Sequence, residues 1–230
     1  NAMDAALAAC AVQAVVEPQS TSIGDDCFCV YAQAGGDELV AFNGSGRAPQ
    51  GLDSTWLLDQ GITSIERQSP HAVTVPGAVD AWVQLSRDHG TLGLDQILSP
   101  AIGYARDGYP VTQRVAFDFA NEVGALDAAA KAVFAPGGSV VPLGARHSQP
   151  ALATTLERIA RDGRAGFYDG PVGEEILTLL QRLGGRHQPE DFENAVGDYV
   201  TPISTSFRDH TIWQCPPNGQ GVIALLLLNI

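Results

Sequence analysis

The residues best equipped for chemistry sit in one short segment, Asn43-Gly44-Ser45-Gly46-Arg47-Ala48-Pro49. Its two glycines let backbone approach a bound group closely. Arg47 then offers five N–H donors in a rigid fork, a geometry that fits a carboxylate. The other reading is a surface turn carrying a solvated arginine, and residue types alone leave both open. A phosphate loop is excluded, because the spacing Gly-x-x-x-x-Gly-Lys is absent.

Elsewhere the sequence offers single residues rather than sets. His71, His89, His147, His187 and His210 are too far apart to form a metal pair on one helix. Asp25-Asp26 suits an acid, a base or a cation ligand, but such a pair more often caps or turns a chain. Ser20, Thr21 and Ser22 lie in no Gly-x-Ser-x-Gly elbow, and Gly44-Ser45-Gly46 is too short to be one. Ser206, Arg208 and Asp209 show no partner logic. Of the 4 cysteines, none forms a Cys-x-x-Cys pair, so a structural zinc site is not expected. Cys27 and Cys29 are too close for an easy disulfide and share one face of a strand. No catalytic residue and no metal ligand is assigned in this chain, and Arg47 is the one candidate binding residue.

The elements that must position this segment read as a mixed α and β chain. Ala5 to Val16 is apolar apart from Gln13 and predicts a helix buried all round, ended by Pro18. Asp26–Ala32 and Glu38–Asn43 predict two strands apolar on both faces, joined by a hairpin loop at Gly35-Gly36-Asp37. Helices are expected over Ala78–His89, Leu94–Asp107 (with a break at Pro100), Gln113–Phe134, Pro150–Asp162 and Gly170–Leu183, with a shorter one at Glu190–Ala195. Tyr199–Ile203 and His210–Gln214 read as strands. Gly221–Ile230, with four consecutive leucines, reads as the first turns of a buried helix. Leaving those leucines in water costs roughly 1.5–3 kcal/mol each, so the rest of a longer chain, or another chain, is expected to cover them.

Composition narrows the function classes. The 230 residues carry 13 Lys+Arg against 26 Asp+Glu, a net charge of −13, so a general nucleic-acid binder is excluded for want of a positive field. Apolar residues make up 45% of the chain, which is ordinary for a folded protein. No apolar run reaches the roughly 18 residues of a membrane span. One domain over residues 1–230 is expected. No basic segment precedes the first apolar run, which points to the cytoplasm, with the periplasm as the other option.

Taken in order, several motifs resemble the gamma-glutamyltranspeptidase family. They are Asn1-Ala2-Met3-Asp4-Ala5-Ala6, Val15-Val16-Glu17-Pro18, Ser22-Ile23-Gly24, Arg47-Ala48-Pro49 and Val73-Thr74-Val75-Pro76-Gly77-Ala78-Val79. The 101–110 stretch Ala-Ile-Gly-Tyr-Ala-Arg-Asp-Gly-Tyr-Pro and Gly166-Phe167-Tyr168-Asp169-Gly170 continue the series. Pro216-Pro217-Asn218-Gly219-Gln220-Gly221, followed by the leucines, looks like the family's proline-glycine turn and helix. The resemblance runs over nearly the whole chain.

It implies an α+β fold, the αββα sandwich of the N-terminal nucleophile hydrolases, incomplete in this chain. Family members are made as zymogens and cleave themselves into a heterodimer. The new N-terminal Thr of the small subunit is the nucleophile, and its amine is the base. This chain matches the N-terminal part of the large subunit, so the implied partner is a small subunit carrying that Thr. The implied reaction is acyl transfer or hydrolysis of glutathione or another γ-glutamyl amide, with no cofactor. Arg47 maps onto the clamp for the substrate's α-carboxylate. Two departures bear on specificity. Gly24-Asp25-Asp26-Cys27 puts acid where glycine is frequent, and Arg47 is followed by Ala48 rather than the Glu of many transpeptidases. Alternatives are a cephalosporin acylase or another amidohydrolase of the same fold, and, in a different class, a non-enzymatic homologue that binds a small acid or a protein.

Overall fold

A computed structural model of the chain describes residues 1–36 and 38–230; Asp37, the last residue of the expected hairpin loop, lies outside the described residues. In chain order the first half runs α1 (Ala2–Val16), β1 (Cys27–Ala32), β2 (Leu39–Gly44), α2 (Ser54–Asp59), α3 (Ala78–His89), α4 (Leu94–Asp107), β3 (Tyr109–Pro110) and α5 (Gln113–Glu122). It continues with α6 (Ala128–Phe134), β4 (Arg146–His147), α7 (Pro150–Asp162), α8 (Ala165–Tyr168), α9 (Pro171–Arg182) and α10 (Pro189–Glu193). The last elements are β5 (Asp198–Val200), β6 (Ile203–Phe207), β7 (His210–Gln214) and α11 (Gly221–Leu227). The chain divides into two compact units, Asn1–Ile23 with Leu85–Phe167, and Gly24–Gln84 with Tyr168–Ile230.

The first unit is helical. Helix α4 packs against both α1 and α7. Its apolar residues Ile97, Leu98, Ala101 and Ala105 recur at helical spacing and are all buried. Helix α7 answers with Ala153, Leu156 and Ile159. Pro100 lies on the exposed side of α4 and does not break it. Helix α1 buries Met3, Leu7, Ala11, Ala14 and Val15 but leaves Ala5, Ala6 and Ala9 exposed, so within this chain it is one-faced rather than buried all round. These exposed residues are alanines, whose small side chains leave little apolar surface in water.

Two buried polar side chains hold this unit together. Asp4 accepts from Thr91 N at 2.9 Å, Thr91 Oγ1 at 2.7 Å and Leu92 N at 3.2 Å. Gln149 Nε2 donates to the Val15 carbonyl at 3.0 Å, satisfying a carbonyl that the end of α1 leaves open. The single helix expected over Gln113–Phe134 is two, α5 and α6, split by a 3-10 turn at Val123–Ala125. Asp127 restarts the chain as the N-cap of α6, accepting from Ala130 N at 2.8 Å.

The second unit is built on a three-stranded antiparallel sheet in the order β1-β2-β5. Strand β2 is central, pairing Cys29 with Phe42 through its own Phe42 and facing Asp198 with its Asn43. The strand expected over Tyr199–Ile203 is interrupted. Strand β5 ends at Val200 and β6 begins at Ile203, because Pro202 has no N–H to give a ladder. Strands β6 and β7 form a hairpin, and α11 packs on both.

Burial of β1 alternates. Cys27, Cys29 and Tyr31 are half-buried, whereas Phe28 and Val30 on the opposite face are exposed. Of the apolar residues of α11, only Leu225 is buried; Ile223, Leu226 and Leu227 are exposed. The two-sided cover expected for the sheet and the burial expected for the leucines are therefore not supplied within this chain. No helix among the described residues is long and apolar enough to cross a membrane.

Candidate functional site

Strand β2 runs straight into the segment that the sequence singles out. Gly46 is required there by contact: a Cβ on it would lie 1.9 Å from the Val75 carbonyl oxygen. Two backbone links hold the loop on either side of this close approach. Gly46 N donates to Asp26 Oδ1 at 2.7 Å, and Val75 N donates to the Arg47 carbonyl at 2.9 Å. The Asp25 carbonyl accepts from Gly77 N and Ala78 N, at 3.1 and 2.9 Å. Asp25-Asp26 thus braces backbone.

The exit of the loop is fixed as well. Asp191, buried, accepts from Gln50 N and Gln188 N, both at 2.9 Å. Asn43 Oδ1 accepts from Ser45 N at 3.0 Å, an Asx-type turn that bends the chain out of β2. Asn218 closes the other side, its Oδ1 accepting from Asn43 Nδ2 and Ser45 Oγ, both at 3.1 Å. Asn43, Ser45, Arg47, Ala48, Pro217 and Asn218 line a cleft of about 450 Å³.

Arg47, which lines this cleft, donates through Nη2 to Asp198 Oδ2. Both side chains are largely in solvent, 69% and 58% exposed, so their attraction is screened and contributes little to folding. One guanidinium nitrogen makes the contact, and the remaining donors of the fork are available to a carboxylate entering the cleft. The arrangement can therefore bind and orient an acid. It contains no nucleophile paired with a base.

The other polar residues weighed from sequence are dispersed. His147 is buried among the rings of Tyr109, Phe119 and Phe134, at centroid distances of 5.7, 6.0 and 5.8 Å. Burial pushes its pKa below the ordinary value, and its Nε2 has no hydrogen-bond partner. His187 is fully buried with Nε2 2.9 Å from the Val73 carbonyl; burial lowers its pKa, and that carbonyl partly opposes the shift. His71 packs edge-on to Trp56, and His210 Nδ1 lies 2.8 Å from the Arg208 carbonyl. Arg208 and Asp209 are the turn of the β6–β7 hairpin, with φ of 47° and 64°. Burial raises the Cys215 thiol, whose Sγ lies 3.4 Å from the Cys29 carbonyl, which disfavours the nucleophilic thiolate. No group of three His, Cys, Asp or Glu side chains suited to a metal occurs among the described residues.

The sequence singles out Arg47 but not its neighbours in the fold, Asp198 and Asn218. Asp198 meets the loop only through the β2–β5 register, which a single sequence does not reveal. Asn218 carried one signal, its place in the Pro-Pro-Asn-Gly turn.

Comparison with known proteins shows what the whole chain is similar to. The sequence model of one family, gamma-glutamyltranspeptidase, matches residues 1–230. The glutathione hydrolase-like YwrD proenzyme of Bacillus subtilis is 35% identical over 233 residues, covering 100% of this chain and 44% of its own length. The crystal structure of cephalosporin acylase from Bacillus halodurans superposes with a TM-score of 0.93 at 35% identity, covering 100% of this chain and 44% of that one. Helicobacter pylori gamma-glutamyltranspeptidase gives a TM-score of 0.89 at 30% identity over 96% of this chain and 65% of that one. The chain thus spans less than half the length of the curated relative above.

Proposed function

The chain belongs to the gamma-glutamyltranspeptidase family, with the α+β fold of its N-terminal nucleophile hydrolases, and from that premise we propose that it is the large-subunit portion of an amide-cleaving acyltransferase. Both compact units belong to that one portion. The substrate is glutathione or another γ-glutamyl amide. The nucleophile is an N-terminal Thr carried by a small subunit outside these residues and released by self-cleavage. Its hydroxyl attacks the amide carbon, the leaving amine takes a proton, and the threonyl ester passes its acyl group to water or to an amino acid. No cofactor enters these steps.

Arg47 carries the reading. It stands at the mouth of a polar cleft on a loop braced at Gly46 and Gln50, and it has guanidinium donors to spare. Two parallel charge-assisted hydrogen bonds to the substrate's α-carboxylate fix its orientation, so that the scissile amide is presented to the hydroxyl at one angle. Asp198 holds the guanidinium while the cleft is empty. The exposed Phe28, Val30, Ile223, Leu226 and Leu227 support the partner assignment, as an apolar surface of the kind a small subunit covers.

A second reading, acylase action on a different amide, is favoured by the 35% identity to the cephalosporin acylase structure. The full-length protein separates the two readings by releasing p-nitroaniline from a γ-glutamyl anilide or a side chain from a cephalosporin. Mass spectrometry of the same sample is expected to give two fragments, one beginning with Thr. One unbroken chain would support a non-enzymatic homologue.

A further inference from the structure

Resting on the reading of Arg47 as the carboxylate clamp, we propose that Asp80 is a positioning residue that sets the clamp from below: through the N–H of Gly197 it places Asp198, and through Asp198 it places the guanidinium of Arg47. Asp80 lies in the first turn of α3 and is 2% exposed. An acidic residue at that point of a helix ordinarily needs no further role, since it complements the helix dipole. Here its Oδ2 is turned across the fold. It accepts from Gly197 N at 2.8 Å, a residue 117 positions away, and from Gln84 Nε2 at 2.7 Å. The same amide of Gln84 reaches the Gly197 carbonyl at 3.3 Å, so Asp80 and Gln84 grip the peptides on either side of the Gly197 Cα, the second of which leads into Asp198. Tyr168 Oη donates to the Pro76 carbonyl at 2.7 Å and accepts from Asp80 N at 3.2 Å, which fixes the start of the helix that bears Asp80.

Gly197 is the residue before Asp198, and it sits where a side chain has no room. A Cβ there would meet Phe42 Cε1 and Cζ at 2.7 Å and the Asn43 carbonyl oxygen at 3.0 Å. Phe42 is fully buried and cannot withdraw. Strand β5 therefore starts pressed against the middle strand, held by a buried charge on one side and an aromatic ring on the other. Asp198 pairs with Asn43 in the register that follows, four residues before Arg47. The exposed ion pair is too screened to organise itself. Its geometry is inherited from the buried contacts behind it.

The test uses the complete, self-cleaved protein. Asp80→Ala is expected to raise KM for γ-glutamyl-p-nitroanilide about tenfold with kcat within about twofold, as for a misplaced binding group. Asp80→Asn, which keeps an acceptor oxygen, is expected to restore most of the loss. In an Asp198→Ala background, Asp80→Ala should add no further rise in KM; equal rises in both backgrounds would overturn the proposal. A second readout needs no substrate. The rate at which phenylglyoxal modifies Arg47, followed by peptide mass spectrometry, should increase in Asp80→Ala and in Asp198→Ala, and an unchanged rate in Asp80→Ala refutes the link. If the wild type fails to cleave the anilide, the functional reading fails while this chemical readout still decides the positioning role. Should Asp80→Ala not fold, Gly197→Ala displaces the same peptide with Asp80 intact and is expected to give the same KM rise and the same Arg47 reactivity.

Discussion

The helical unit and the sheet unit use their polar side chains in opposite ways. In the helical unit Asp4 and Gln149 are buried and bond chiefly to backbone, closing helix ends and a turn. In the sheet unit Arg47 meets Asp198, and Asn43 and Ser45 meet Asn218, side chain to side chain, and all of these except Asp198 line an open cleft. Where buried polar groups do occur in the sheet unit, Asp80 and Asp191 grip the segments that carry Asp198 and the arginine loop. The contrast separates a scaffold, whose polarity serves folding, from a site, whose polarity stays available to a ligand.

The sharpest break between the two comes at Arg47. Arg47→Ala in the full-length enzyme is expected to raise KM for the γ-glutamyl donor by about 30-fold or more, because the bound carboxylate loses its charged partner. Self-cleavage, followed by gel electrophoresis, should stay intact. Leu156→Ala should behave inversely. That side chain is fully buried in the helical unit, and its truncation should lower stability by about 2–5 kcal/mol in denaturant unfolding while leaving KM unchanged. A shifted KM in that variant would erase the distinction between scaffold and site. Gly46→Ala should fall between them. The added Cβ collides with the Val75 carbonyl, so the arginine loop must move, at a cost of about 1–3 kcal/mol together with a raised KM.

Buried imidazoles give a smaller effect with a definite sign. Burial holds His147 and His187 below the ordinary pKa of 6.5, so near that pH the unfolded chain binds more protons than the folded one. Stability should be full above that range and decline as pH falls through it. His147→Phe should flatten the decline, because its Nε2 has no partner to lose. An unchanged slope would place the titration elsewhere. The smallest effect is expected at the exposed pair: Asp198→Asn should change unfolding stability by no more than about 1 kcal/mol, whatever it does to binding.

Periodicity made the helices legible, since α3, α4 and α7 present an apolar face that needs only i, i+3 and i+4 spacing to be seen. It failed where a local feature competed. Pro202 divides one apparent strand, and Asp127 caps a helix inside an apparent longer one. The apolar runs of β1 and of residues 221–230 announced burial that this chain does not itself supply. Arg47 was legible because glycines and an arginine form a local pattern. Asp198, Asn218 and Asp80 were not, because each reaches the cleft across more than a hundred residues of chain, by way of strand register or a buried hydrogen bond.

Strand β2 is both the middle of the sheet and the stem of the arginine loop, and this restricts how the gene can change. Substitutions along β2 alter packing by degrees, but losing one codon between Leu39 and Gly44 would turn every following side chain to the opposite face. Arg47 would then point away from Asp198 and Asn218. Descendants of this sequence can vary the letters of that strand far more easily than their number.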